Sequence, residues 1–306
     1  MIFLGKSETS NSENKVTCLR ISSETYFPGN KKTSFRVTLK IEKQAALFAS
    51  CLRPSWLYPL VPCFMKIICV ANQKGGIGKS TLITVLAGAL SADYGYRVLV
   101  VDADSQQTLA GVRLTNDQPS VDLEREAGTL AEPAFPYALE SVGMGQVYDR
   151  LDEVSDDYDV VFIDVPGRSD DTAMIDVLSG ANVVLVPVGA SDAERLATIS
   201  FMQLLQEISR LSREQGLDFQ FFGVHSHRTN LKEEKDMDEF TDALGLPRLQ
   251  ASLRQLGCYK RLSTRYSYLN PAYRRAVGAD ASVEAEVRAL CDELIARAQL
   301  TSELIS

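Results

Sequence analysis

From Met65 to Thr81 the chain reads MKIICVANQKGGIGKST: an apolar run of strand length, a glycine-rich loop, then Lys-Ser opening an apolar stretch of helical length. Few folds accommodate that order. A strand that ends in glycines and turns straight into a helix gathers the loop N–H groups and the positive end of the helix around one point, where a phosphate belongs. Gly75, Gly76 and Gly78 let the backbone curl inward. Lys79 follows where an ammonium reaches the β- and γ-phosphates. Ser80 supplies the hydroxyl that Mg²⁺, with its near-octahedral oxygen shell, requires. With Ile77 and Thr81 these residues form the expected nucleotide-binding set.

Two further apolar runs, VLVVDAD and VVFIDVPG, end in aspartate, as buried parallel strands do when they carry a carboxylate to the C-terminal edge of a sheet. Asp164 and Asp102 are therefore expected at a magnesium ion, and Asp104 near the attacking water, although an aspartate at a strand end also serves as a helix cap or turn former. The coarse pattern gives strands at 66–71, 97–102, 159–164, 182–187, 218–225 and 248–252. Helices are expected at 79–93, from about Gln107, and at 145–154, 171–179, 192–214, 232–243 and 282–298. The stretch containing Pro119, Pro133 and Pro136 is left undivided. Such alternation predicts an α/β fold, a mostly parallel twisted sheet with helices on both faces.

Composition changes near Met65. Residues 1–64 carry nine Lys and Arg against four Asp and Glu, whereas residues 65–306 carry 23 against 36. The segment 1–64 has no sustained helical or strand period and ends in a proline-broken apolar run. It is read as a non-native or disordered extension, translated upstream sequence being preferred to an appended segment, with the α/β domain at 65–306. The apolar passage Ala45–Phe64 contains Arg53 and three prolines, which argues against a membrane span. The N-terminus lacks the order of a signal peptide. Six cysteines without a C-x-x-C pair exclude a zinc ribbon or a cluster loop and suit a cytoplasmic protein with reduced thiols.

KGGIGKST, VDADSQQT and FIDVPG resemble the deviant Walker A motif, the Asp-x-Asp motif and the Walker B motif of the ParA/MinD superfamily of ATPases, over about residues 65–300 and closest in length to the small ParA type. One departure is Ser105, where the family commonly has proline. The resemblance implies that the early Lys74 reaches across a subunit interface to phosphates bound by the partner, so that ATP drives homodimerisation. It implies slow ATP hydrolysis with Lys74, Lys79 and Asp104 as catalytic residues and ATP and Mg²⁺ as cofactors. It further implies nonspecific DNA binding as an ATP dimer, nucleoid association in that state, and a ParB-like centromere-binding protein that stimulates hydrolysis.

Between Ala243 and Ala279 lie Arg248, Arg254, Lys260, Arg261, Arg265, Arg274 and Arg275 and no acidic residue, with Tyr259, Tyr266, Tyr268 and Tyr273 among them. In an acidic domain this island is the expected DNA surface, with Lys260, Arg261, Arg274 and Arg275 as its phosphate contacts; a solvated or internally paired basic face is the other reading. The rival is a MinD-like switch acting at a membrane, which needs a basic amphipathic C-terminal helix. Here that end is acidic, so no stable membrane association is expected. An ATPase that positions a protein cargo stays open. His225 and His227 make an incomplete metal set, and Arg228 and Asn230 are expected near the adenine.

Overall fold

The computed structural model describes residues 2–6, 18–26, 32–40, 65–167, 172–226 and 231–301, the first three stretches and 231–234 as backbone only. In the N-terminal segment, β1 (Ile2–Lys6), β2 (Cys18–Tyr26) and β3 (Lys32–Lys40) form an antiparallel sheet in that order. This is more regular structure than the sequence pattern suggested. The apolar passage Ala45–Phe64 lies outside the described residues.

The main sheet has six strands, β4 (Lys66–Val70), β5 (Val98–Asp102), β6 (Ala138–Ser141), β7 (Val160–Asp164), β8 (Val183–Val188) and β9 (Gln220–His225), in the order β6-β5-β7-β4-β8-β9. Every adjacent pair is parallel. All five residues of β5 and of β7 are buried, which is why these strands read as unbroken apolar runs. The first strand of the sheet, β4, lies in its middle, so the chain departs from it to both edges. At such a reversal the C-terminal ends of the strands leave a crevice for a ligand.

Nine helices cover the sheet among the described residues: α1 (Lys79–Ala92), α2 (Thr108–Val112), α3 (Gln118–Glu126), α4 (Val147–Glu153), α5 (Thr172–Ser179), α6 (Asp192–Glu214), α7 (Leu231–Leu244), α8 (Pro271–Val277) and α9 (Ala281–Ala298). Ile68 and Val70 of β4 point into a core shared with α1 and α9, while Ile67 and Cys69 point into one shared with α4, α5 and α6. Helix α1 buries every residue from Leu82 to Leu90 and so has no polar face. Helix α6 starts with a reciprocal cap in which Ser191 and Glu194 each bond the other's backbone.

Four features differ from the sequence pattern. The expected strand at 248–252 is reduced to a single bridge between Gly223 and Arg248. The undivided proline-rich stretch contains β6 and α3, since Pro119 falls in the first turn of α3, where its missing N–H costs nothing. Between α2 and α3 one π-helical turn, Arg113–Asp117, keeps the helix running from Thr108 to Glu126. Helix α8 was not anticipated.

Candidate functional site

The glycine loop joins β4 to α1 in the crevice. Gly76 and Gly78 adopt φ of 75° and 96°, the left-handed region that side chains disfavour. Gly78 caps α1 and accepts the N–H of Leu82. The loop is fixed at both ends by side chains the motif reading did not single out. Buried Asn72 accepts the backbone N–H of Lys74 at 3.2 Å and donates to the Pro187 carbonyl at 2.9 Å and to Thr198 Oγ1 at 3.2 Å. Ser226, at the end of β9, donates its hydroxyl to the carbonyl of fully buried Ile77 at 2.9 Å. Lys74 and Gly75 are exposed, Ser80 and Thr81 half-buried, and Lys79 is only 7% exposed.

Gly167, the last residue of FIDVPG, packs against this loop: a methyl group there would lie 3.1 Å from both the Gly75 nitrogen and Lys79 Nζ. The Lys79 ammonium is held below the ordinary lysine range by burial, opposed by the charges of Asp164 and Asp104.

Asp102 and Asp164 are register partners on adjacent strands, each 1% exposed. Ser80 donates its hydroxyl to Asp164 Oδ2 at 2.6 Å, and Asp164 Oδ1 has no partner among the described residues. Burial pushes the Asp164 carboxyl up to about 7; the Ser80 hydroxyl opposes this, and Asp102 adds to it. Asp102 combines the two roles that the sequence left open. Its Oδ2 accepts the N–H groups of Leu109 and Ala110, both at 3.0 Å, so half of the expected metal ligand is a helix cap for α2. Its Oδ1 is buried and without a partner among the described residues. Two dry carboxylate oxygens lacking donors, beside a hydroxyl, suit a small hard cation, and the residues fit Mg²⁺. Asp104 is half-buried at the same strand end, its Oδ1 accepting the N–H of Gln106 at 3.0 Å.

Arg228, Asn230 and His227 lie outside the described residues. His225 is buried, with Nδ1 3.6 Å from Asp238 Oδ1.

The basic island is largely neutralised. Arg248 pairs with Asp238 and Asp242, Arg254 with Glu286, Arg265 with Glu124, and Arg274 with Glu284. Arg274, expected at DNA, is 9% exposed and also donates to the carbonyls of Tyr268 and Leu269. It belongs to the interior because its fork satisfies the end of a loop and the carboxylate of α9 together. Lys260, Arg261 and Arg275 are exposed and make no ion pair among the described residues. The tyrosines are scaffold more than surface: Tyr259 and Tyr268 are 6% and 1% exposed. The Tyr268 hydroxyl donates to the Cys258 carbonyl at 3.0 Å, and that of Tyr273 to the Arg261 carbonyl at 2.9 Å, which shapes the turn bearing Lys260 and Arg261. Tyr266 alone of the four is exposed, at 37%.

The CbiA family model, described as the CobQ/CobB/MinD/ParA nucleotide binding domain, matches residues 68–265. The maintenance of carboxysome distribution protein A of Gloeobacter kilaueensis is 27% identical over 214 residues, 68% of this chain and 82% of that protein. The chromosome partitioning protein ParA of Caulobacter vibrioides is 27% identical over 205 residues, 57% of this chain and 75% of that protein. Among solved structures, the ATP complex of a variant of Cyanothece McdA superposes with a TM-score of 0.56 at 17% identity, covering 76% of this chain and 96% of the other, a likeness of fold.

Proposed function

The chain belongs to the CobQ/CobB/MinD/ParA family of nucleotide-binding domains, and from that premise we propose that it is a ParA-type switch ATPase. It dimerises on ATP and Mg²⁺, binds DNA of any sequence in that state, and releases it after hydrolysis. The observation that carries this reading is the contrast between the two loop lysines. Lys79 is buried in its own loop beside Asp164 and serves its own phosphates. Lys74 is exposed on a turn whose backbone Asn72 fixes, so it is free to meet phosphates arriving on a second copy.

In this reading Gly75 to Thr81 cradle the phosphates, and Arg228 and Asn230 approach the adenine. Ser80 and the unpartnered oxygens of Asp164 and Asp102 would hold Mg²⁺, which when bound offsets phosphate charge. Asp104 orients the water for in-line attack, and Lys79 with Lys74 of the partner subunit stabilises charge on the transferred group. DNA phosphates meet Lys260, Arg261 and Arg275. A ParB-like partner accelerates hydrolysis.

A second reading, in which the same switch positions a protein body, is favoured by the relatives named for carboxysome distribution. A membrane switch is not favoured. Helix α9 spends Val283, Val287, Leu290 and Leu294 on the core, and no helix among the described residues is long and apolar enough to cross a membrane.

Fluorescence anisotropy with two unrelated duplexes, in ATP and in ADP across a salt series, tests the proposal. Equal affinity for both duplexes in ATP and much weaker, still measurable binding in ADP are expected, with a log affinity–log salt slope of about 0.9 per phosphate contact. An ATP form that ignores both duplexes removes the DNA step; if it then sediments with anionic vesicles, the membrane reading replaces it.

A further inference from the structure

The expected DNA surface and the carboxylate site are joined by one continuous helical run. At its start, Asp102 holds the N–H groups of Leu109 and Ala110 with one oxygen and keeps the other beside Asp164. At its π-helical turn the run presents Asp117, a carboxylate only 6% exposed. Asp117 accepts the hydroxyl of Ser263 at 2.8 Å, and the N–H and hydroxyl of Thr264 at 2.6 and 2.9 Å. These donors are neutral and come from consecutive residues of one loop, the loop that follows Lys260 and Arg261 directly.

Arg113, four residues earlier and on the same side of the run, reinforces the joint. Its Nε donates to Thr264 Oγ1 at 3.0 Å, and its guanidinium lies over the rings of Phe135 and Tyr137 at 4.4 and 5.1 Å. Beyond the turn, Glu124 pairs with Arg265, whose guanidinium lies 5.0 Å from the ring centre of Tyr266.

A buried carboxylate is costly, and an apolar contact would hold the loop at less expense. What the carboxylate adds is direction: its two oxygens are met by three donors from Ser263 and Thr264.

We propose that Asp117 is a positioning residue through which the nucleotide site governs the DNA surface, because it fixes the loop after Lys260 and Arg261 to the helical run that begins on Asp102. The inference rests on the switch reading above. A change in what Asp102 faces alters the anchor of the run, and the Asp117 joint carries that alteration to the cations, so the joint sets the difference in DNA affinity between nucleotide states rather than affinity as such.

The test uses the full chain and three variants, Asp117→Asn, Thr264→Val and the pair. Three quantities are read: ATP affinity, DNA affinity in ATP and DNA affinity in ADP. The expected result is unchanged ATP affinity, a ratio of DNA affinities that falls about tenfold towards one, and a pair no worse than either single variant. Equal loss of DNA affinity in both nucleotide states overturns the proposal, since Asp117 would then only support the loop. An unchanged ratio overturns it too. If Asp117→Asn does not fold, Thr264→Val, which removes the hydroxyl shared by Arg113 and Asp117 at constant shape, is judged by the same ratio. A wild type whose DNA binding ignores nucleotide overturns the switch reading itself, and that outcome is visible before any variant is made.

Discussion

In the phosphate loop, the two lysines that the chain places five residues apart end in opposite surroundings, Lys79 buried and Lys74 exposed, as their positions in the motif imply. In the basic segment from Ala243 to Ala279, seven cations that look alike in the chain divide in a way their order does not foretell. Arg248, Arg254, Arg265 and Arg274 are spent on ion pairs, and Lys260, Arg261 and Arg275 are left exposed. The loop is built by one short stretch whose conformation glycines and a helix start dictate. The island is a composition, and each of its charges is decided by a carboxylate brought from another element.

The sharpest way to break this comparison is at the lysines. Lys79→Ala is expected to lower ATP affinity about 100-fold, the scale of losing a buried charge-assisted contact. Lys74→Ala should leave that affinity within about threefold, as for an exposed charge, yet abolish ATP-dependent dimerisation in sedimentation velocity. Equal losses of nucleotide affinity would erase the distinction between the two environments.

Within the island the adjacent pair Arg274 and Arg275 offers a smaller effect and a cleaner contrast. Arg274→Ala leaves the carbonyls of Tyr268 and Leu269 without their donor, while Glu284 keeps Arg288, and should cost about 2 kcal/mol in chemical denaturation. Arg275→Ala should stay within about 0.5 kcal/mol while reducing the salt slope of DNA binding. Two variants of equal stability would mean that the division of the island into spent and free cations is wrong.

The smallest effect concerns pH. Asp164 is pushed up to about 7 in the fold, above the value of about 3.9 in an unfolded chain. Without metal the folded state therefore holds this proton more tightly. The resulting stabilisation is complete below about pH 4 and is lost as pH rises through about 7. Melting temperature without Mg²⁺ should fall by a few degrees between about pH 5 and 8, and Asp164→Asn should flatten that trend. Affinity for Mg²⁺ should change in the opposite sense over the same window, since the cation needs the carboxylate. A wild-type curve parallel to that of Asp164→Asn would show that the site is wetter than its burial implies.

Much of the fold was legible because its signals are local. The apolar runs that became β4, β5, β7 and β8 are buried on both faces, and their length, with the terminal aspartates of β5 and β7, was visible in the chain. Other local signals are present in the chain as well. Helix α8 carries Asn270 as its cap, Pro271 at its first position and Gly278 at φ of 72° after its end, a complete set of start and stop residues. Phe35, Val37 and Leu39 alternate along β3 in the period of a strand. The absent strand at 248–252 is a different failure: Leu249 is buried, but the backbone pairs with β9 over too short a length to form a ladder.

The sequence by itself determined the phosphate loop, the strands that carry Asp102 and Asp164 to its side, and the ParA/MinD resemblance, because each is the work of a few consecutive residues whose backbone preferences suffice. Only the tertiary structure decided that Asp102 divides its carboxylate between a helix cap and an unpartnered oxygen at the strand edge beside Asp164, that Arg274 is interior, and that Asp117 holds a loop 146 residues away. The physical reason is that a charge is defined by its partners. Whether a carboxylate or guanidinium is spent or free depends on donors and acceptors from distant elements, which no count along the chain contains.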